Sequence, residues 1–148
     1  MCAAARDGLP LAPASIDYAV AMHVLQDLPY DEIVSALREL RRVIVPGGVL
    51  RVGVPDLDRA IAAYLRGDAA YFHVPDADAE RVGAKLVTQI VWYGSVRTPF
   101  TYDFARESLA RAGFARAWRC DFRTTRSEHP EIVSLDNRER ETLFVEAA

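Results

Sequence analysis

Several residues of this 148-residue chain have side chains whose type and position could do chemistry. His23 follows the apolar run Ile16–Met22 and sits just past the carboxyl end of a strand, where open α/β sheets place their ligands. A helix-starting residue bonded to a loop carbonyl is the bland alternative for it. Asp56, after Val54-Pro55, sits at the next such end. It suits a general base beside an acceptor proton, or simply a helix N-cap. Trp92, Tyr93, Arg97 and Phe100 could wall a flat or anionic molecule with three rings and a cation, or could pack as core. Arg51 lies within an apolar strand, and a buried guanidinium wants an acid, with Glu39 and Asp17 as the candidate partners. His129-Pro130-Glu131 joins a base and an acid on a polar loop, where sequence neighbours seldom converge. The chain contains no Ser-His-Asp, Cys-His or metal-ligand spacing, and Cys2 and Cys120 make neither a disulfide framework nor a zinc site.

Composition narrows the setting. Hydrophobic residues are 51% and charged residues 26%, which is globular usage for one domain, residues 1–148. A net charge of -3 gives no general attraction to nucleic acid, although residues 97–126 hold seven Arg against Asp103, Glu107 and Asp121. No apolar run approaches a membrane span, and the opening Met1-Cys2-Ala3-Ala4-Ala5-Arg6 lacks an apolar signal core, so a cytoplasmic, non-membrane protein is expected.

The elements that must position these residues follow from periodicity. Residues 6–15 read as loop, then Ile16–Met22 as a strand buried on both faces. Asp31 is a plausible N-cap for a helix carrying Ile33, Leu37, Leu40 and Ile44, and Pro46-Gly47-Gly48 is expected to stop it. Residues 49–54 form a second apolar strand. Asp56 then caps a helix whose inner stripe is expected to be Leu57, Ile61, Tyr64 and Leu65, closing at Gly67. Residues 68–80 are an Asp-rich loop, 79–92 a helix with Val82, Leu86, Ile90 and Tyr93 on one face, and 94–102 a loop. A helix over 103–112 ends at Gly113. Alternation over 114–123 and the run 141–147 predict two late strands, an antiparallel pair at a sheet edge, joined by a polar loop at 125–140.

The order Leu9-Pro10-Leu11, Ser15-Ile16-Asp17, His23-Val24-Leu25, then Leu37-Arg38-Glu39-Leu40-Arg41-Arg42-Val43-Ile44-Val45-Pro46-Gly47-Gly48 is distinctive. Leu50-Arg51-Val52, Val54-Pro55-Asp56-Leu57, Leu109-Ala110-Arg111-Ala112-Gly113-Phe114 and Thr142-Leu143-Phe144-Val145-Glu146-Ala147 continue it. This series resembles the C-terminal half of class I S-adenosylmethionine-dependent methyltransferases. The resemblance implies an α/β fold, a partial Rossmann-like methyltransferase sheet in the order strands four, five, seven, six, with flanking helices and the last strand antiparallel. Residues 16–22 would be strand four, 49–54 strand five, 114–123 strand six and 141–147 strand seven. Strands one to three, the Gly-rich turn and the ribose-binding acid find no counterpart, so a truncated domain is expected. Relatives place Glu-His where this chain has Gln26-Asp27, and an acid near the adenine that falls around Ala4, with Asp7 close by.

The resemblance also implies S-adenosylmethionine as cofactor, with Met22 and His23 beside it, weak cofactor binding by this chain alone, and transfer to a small-molecule or glycan-type acceptor. Tyr93, Arg97 and Phe100 then become substrate-binding candidates, and His23 and Asp56 catalytic ones, with no metal. A catalytically inactive interaction or regulatory module, pairing with itself or with a partner methyltransferase, is the alternative. Losing strand one as a neighbour would leave strand 16–22 with an open edge. A homodimer through that edge is therefore expected, or a partner supplying the missing half, unless residues 1–15 fold across it.

Overall fold

The computed structural model describes residues 8–148. Met1 to Asp7, including Cys2, Ala4 and the acid Asp7, lie outside the described residues. Four strands form one sheet: β1 (Ile16–Met22), β2 (Ile44–Pro55), β3 (Ala117–Cys120) and β4 (Thr142–Ala147), in the order β1-β2-β4-β3. β1 and β2 run parallel, while β4 is antiparallel to both β2 and β3. The expected strand order and antiparallel late pair are therefore present. The helices are α1 (Ile33–Val43), α2 (Leu57–Leu65), α3 (Val82–Val91) and α4 (Tyr102–Ala112).

One face of the sheet builds the core. Leu50, Val52 and Val54 of β2 and Leu143, Val145 and Ala147 of β4 pack with Ile33, Leu37, Leu109 and Phe114 from α1 and α4 and their flanks. The other face carries Arg51, which is fully buried and bound to Asp136 and Glu146. Its Nε donates to Asp136 Oδ1 at 2.8 Å and its Nη1 to Glu146 Oε1 at 2.8 Å. Glu39 and Asp17 are therefore not its partners. Glu39 lies on α1 and holds Arg42 and the Leu9 amide instead.

Several boundaries differ from expectation for local reasons. The chain enters α1 through a 3-10 turn at Tyr30–Glu32, so Asp31 does not cap it and no side chain does. Helix α1 ends at Val43 with Ile44 already extended, so Pro46-Gly47-Gly48 is not its stop. That tripeptide lies inside β2 as a bulge: Ile16 pairs with Ile44 and Tyr18 with Val49, leaving Asp17 alone opposite Val45 to Gly48. Gly47 has φ +83°, and a Cβ on Gly48 would come within 2.5 Å of the Asp17 carbonyl oxygen. Strand β3 is shorter than residues 114–123. Gly113, at φ +100°, closes α4 as expected.

Helix α2 turns its small residues inward. Ala60 and Ala63 are buried with Tyr71 and Phe72, while Ile61, Tyr64 and Leu65 are exposed, reversing the expected stripe. Nearly every α2 position is apolar, so periodicity marks two faces, and Ala allows the closer approach. In α3, Lys85 and Gln89 are buried, and Val82 and Leu86 pack on that second cluster. Tyr93 falls beyond the helix and is exposed.

β1 is only half-buried, with Ala21 its one buried residue. Among the described residues it pairs with β2 alone and no strand lies on its second edge, in keeping with its incomplete burial. Residues 8–15 do not cover that edge: Ala14 N and Ser15 N donate to Arg42 O and Val43 O, and Leu9 N to Glu39, which ties this stretch to α1.

Candidate functional site

The carboxyl ends of β1 and β2 open onto a cavity of about 220 Å³, lined by His23, Gln26, Pro55, Asp56, Tyr71, Trp92, Pro99, Phe100, Arg138 and Glu141 among others. His23 arrives there because β1 ends at Met22 and the backbone turns through φ +53° at His23, whose N–H donates to Gly53 O at 2.7 Å. A left-handed histidine is uncommon, and such strain gathers at functional positions. Its Nε2 lies 3.2 Å from Thr142 Oγ1. Burial, reinforced by the positive Arg138, pushes the imidazole down to about 4, so it is neutral at physiological pH.

Asp56 is buried and fully engaged. Its Oδ1 accepts from Arg59 N at 3.1 Å, the N-cap bond of α2, and its Oδ2 is bound by Arg119. Arg59 Nε stands 3.5 Å from the same oxygen. This carboxylate therefore anchors α2 to β3, with both oxygens already bound. Phe100 is buried against Phe104, and its carbonyl accepts from Leu57 N, fixing the cavity wall to the start of α2.

The site thus gathers His23, Asp56 and Phe100. Tyr93 and Arg97 are exposed and outside the lining; the Tyr93 hydroxyl donates to Asp78 Oδ2 at 2.6 Å, and Arg97 N donates to Gln26 O at 2.9 Å. Met22 also lies outside it, packed so closely over Gly53 that a Cβ there would meet its sulfur. The His129 ring lies tilted against Tyr18, with centroids 5.1 Å apart, and is not among the cavity's lining residues. Among the described residues no group of three or more His, Cys, Asp and Glu is placed to hold a metal. Cys120 is a free thiol pushed up to about 11 by burial, which keeps it protonated and unreactive.

Two lining residues escaped the sequence reading as site residues. Among the described residues, four side-chain polar atoms are buried without a hydrogen-bond partner: His23 Nδ1, Gln26 Oε1, Tyr71 Oη and Trp118 Nε1. Each such atom costs about 1–3 kcal/mol when left unmade, and the first three of the four lie on residues that line this cavity. Gln26 was visible only as a departure from the family pattern. Tyr71 gave no signal, being one ring in an Asp-rich loop; burial pushes its hydroxyl up to about 12.

These residues fit a small molecule and not a whole nucleoside-bearing cofactor. The cavity is below the roughly 300–1,000 Å³ of typical cofactor and drug-sized pockets. Neither strand end continues into a Gly-rich turn: β1 leads to His23-Val24 and β2 to Asp56-Leu57, and Gly53 is filled by Met22.

Comparison with known proteins agrees with this topology. Residues 1–52 match the family model described as Methyltransferase domain. No curated protein matches the chain. A SAM-dependent methyltransferase from Thermotoga maritima superposes with a TM-score of 0.54 at 19% identity, over 95% of this chain and 59% of that one. One from Mesorhizobium loti gives 0.54 at 20%, over 95% and 65%. The methyltransferase in a complex with the Haloferax volcanii Trm112 methyltransferase activator gives 0.53 at 18%, over 96% and 57%. The chain thus spans about three fifths of the length of these structures. No helix among the described residues is long and apolar enough to cross a membrane. The matching segment is similar to that methyltransferase family, and the mixed sheet with its flanking helices has the Rossmann-like fold of these methyltransferase structures.

Proposed function

We propose that this chain carries the acceptor side of an S-adenosylmethionine-dependent methyltransferase, holding a small molecule in the cavity at the ends of β1 and β2. The observation that carries the reading is the cavity itself, at those strand ends, lined by aromatic and proline walls and by three residues that carry buried, unpartnered polar atoms. Methyl transfer asks mainly for positioning and a closed site, because the sulfonium is itself a strong donor when bound. His23, Gln26 and Tyr71 orient the acceptor, while Trp92, Pro99 and Phe100 exclude water around it. The cofactor's own contacts come from another segment, docked along the open edge of β1. A second copy of this chain is one candidate for that edge, and a separate methyltransferase half is another. The truncated-domain reading belongs with this proposal.

Transfer itself is the test. Methyl-tritiated S-adenosylmethionine is incubated with the purified chain, the proteins that accompany it and a small-molecule extract. Label should enter the small-molecule fraction and vanish with Ala60→Leu, which fills the cavity from α2. Label found only in protein would overturn the small-molecule acceptor.

A non-catalytic partner module is the second reading, favoured by the half-buried β1 edge, which is unpaired among the described residues. The complex of the Haloferax volcanii Trm112 methyltransferase activator with a methyltransferase of similar fold gives a precedent for assembly with a partner. Absence of transfer under every pairing, with a stable β1-edge complex, would select it.

A further inference from the structure

We infer that the β3 edge of the sheet is a docking groove for an extended, acidic peptide segment of another protein, which adds to β3 as a further strand. β3 ends the sheet on the side away from β1, and among the described residues it pairs with β4 alone. Arg116 and Ala148 exchange both backbone bonds, Arg116 N donating to Ala148 O at 2.9 Å and Ala148 N to Arg116 O at 3.0 Å. In an antiparallel ladder such pairs alternate with pairs whose polar groups turn away from each other. Trp118 and Cys120 therefore share the inward set with Arg116, while Ala117 and Arg119 present their N–H and C=O groups to the open side. An incoming strand takes up that row, which is the main-chain part of strand addition.

The surroundings of this edge select the partner's charge. A groove of about 910 Å³ runs between α4 and β3. It shares no residue with the cavity at the ends of β1 and β2, so the inference stands apart from the acceptor-site proposal. Ala110 on α4, with Ala115 and Ala117 along the edge, keeps side-chain bulk low and leaves room for a second backbone. Arg106, Arg116 and Arg126 line the groove, are exposed, and pair with no acid among the described residues. Arg106 rests over the Tyr102 ring at 5.6 Å, and Arg119, the cation within β3, is already bound to Asp56. Of the two acids in the lining, Glu107 lies 3.8 Å from Arg111, and Asp103 stands in the first turn of α4, where the helix end favours negative charge. Three unmatched guanidinium groups beside an open strand fit the carboxylates of an incoming chain. Charge on an edge strand also guards against pairing, but here the unmatched charge has one sign. It repels a basic strand or a second copy of this edge, and admits an acidic one.

The test uses the full chain and three probes: a short blocked peptide alternating glutamate and valine, its counterpart alternating lysine and valine, and a single-stranded oligonucleotide. In fluorescence polarisation the glutamate peptide should bind at least about tenfold tighter than the lysine peptide, and should weaken as salt rises. Hydrogen exchange followed by NMR should show the Ala117 and Arg119 amides slowed at least about tenfold by the bound peptide, with Val20 on β1 unchanged. The double variant Arg116→Glu, Arg126→Glu alters exposed side chains and should keep Tm while weakening the glutamate peptide by about tenfold. Ala117→Pro should weaken it as well, by removing an outward donor that β4 does not use. If that substitution lowers Tm, the arginine variant decides. Equal binding of the two peptides, unchanged exchange at Ala117 and Arg119 under saturating peptide, or no saturation by about 1 mM would each overturn the inference. An oligonucleotide that displaces the glutamate peptide would also overturn it and reassign the groove to nucleic acid.

Discussion

His23 and Thr142, 119 residues apart in sequence, meet at 3.2 Å where β1 ends and β4 begins on the two sides of β2. The contact joins the cavity to the last strand, and Thr142 in turn reaches the Asn137 carbonyl. Thr142→Val keeps the shape and removes both bonds. It should cost about 1–3 kcal/mol in urea denaturation, because the Asn137 carbonyl and the imidazole Nε2 are left unmatched. Two-bond 1H–15N correlation spectra of the histidine rings should then show a mixture of the two His23 tautomers.

The depressed imidazole makes stability depend on pH in a defined window. The folded protein binds the His23 proton only near pH 4, whereas the unfolded chain binds it near 6.5. Between these values the unfolded state holds more protons, so stability present above about pH 6.5 is lost as pH falls and levels off below about 4. His23→Gln should flatten that limb in denaturation midpoints measured from pH 7.5 to 3.5. Glu39 acts lower: held down to about 2 chiefly by its hydrogen bond with Arg42, it contributes stability that is lost as pH falls from 4.5 through 2.

Arg51 tests the opposite sheet face. It is fully buried with two carboxylates, and Arg51→Met leaves Asp136 and Glu146 facing each other without a cation. The expected loss is about 3–5 kcal/mol of unfolding free energy. The triple variant Arg51→Met, Asp136→Leu, Glu146→Leu should recover much of it, since the desolvated charges disappear together.

How much of this was legible beforehand depended on range in sequence. The apolar spacing of Ile33 and Leu37 and the run Leu50–Val54 were enough for α1 and the centre of β2, because a buried face imposes its period locally. The strand order came from the resemblance, not from the periodicity. The Arg51 partners lie 85 and 95 residues away, and no local pattern separates Asp136 and Glu146 from nearer acids such as Glu39. Tyr71 was hidden for the same reason: it enters the cavity through the packing of α2 and α3. Pro46-Gly47-Gly48 was visible as a turn, yet its place inside β2 depends on the register with β1, which sequence does not state.

Gly47 offers a control on that bulge. Its φ of +83° strains any L side chain, although nothing lies near a Cβ there. Gly47→Val should cost about 1–2 kcal/mol and leave ligand binding unchanged. A Gly47→Val protein with unaltered Tm and lost binding would assign this tripeptide a ligand role instead of a structural one.

The open edge predicts association. His23 N donates toward β2, so strand alternation turns the N–H groups of Met22, Val20 and Tyr18 outward. Ala19, on the inward set, is consequently the wrong place to probe the edge. Light scattering at micromolar concentration should show a species larger than 16.5 kDa, and Val20→Pro should weaken it by removing an outward donor. A clean monomer in the unmodified protein would contradict pairing of the chain with itself.

The central claim is that these residues build the acceptor side of a methyltransferase site and leave the cofactor's contacts to another segment. Calorimetric titration of the purified 148-residue chain with S-adenosylhomocysteine tests it most directly. The account predicts a dissociation constant no tighter than about 1 mM for the chain without a partner. A micromolar dissociation constant under the same conditions would contradict it.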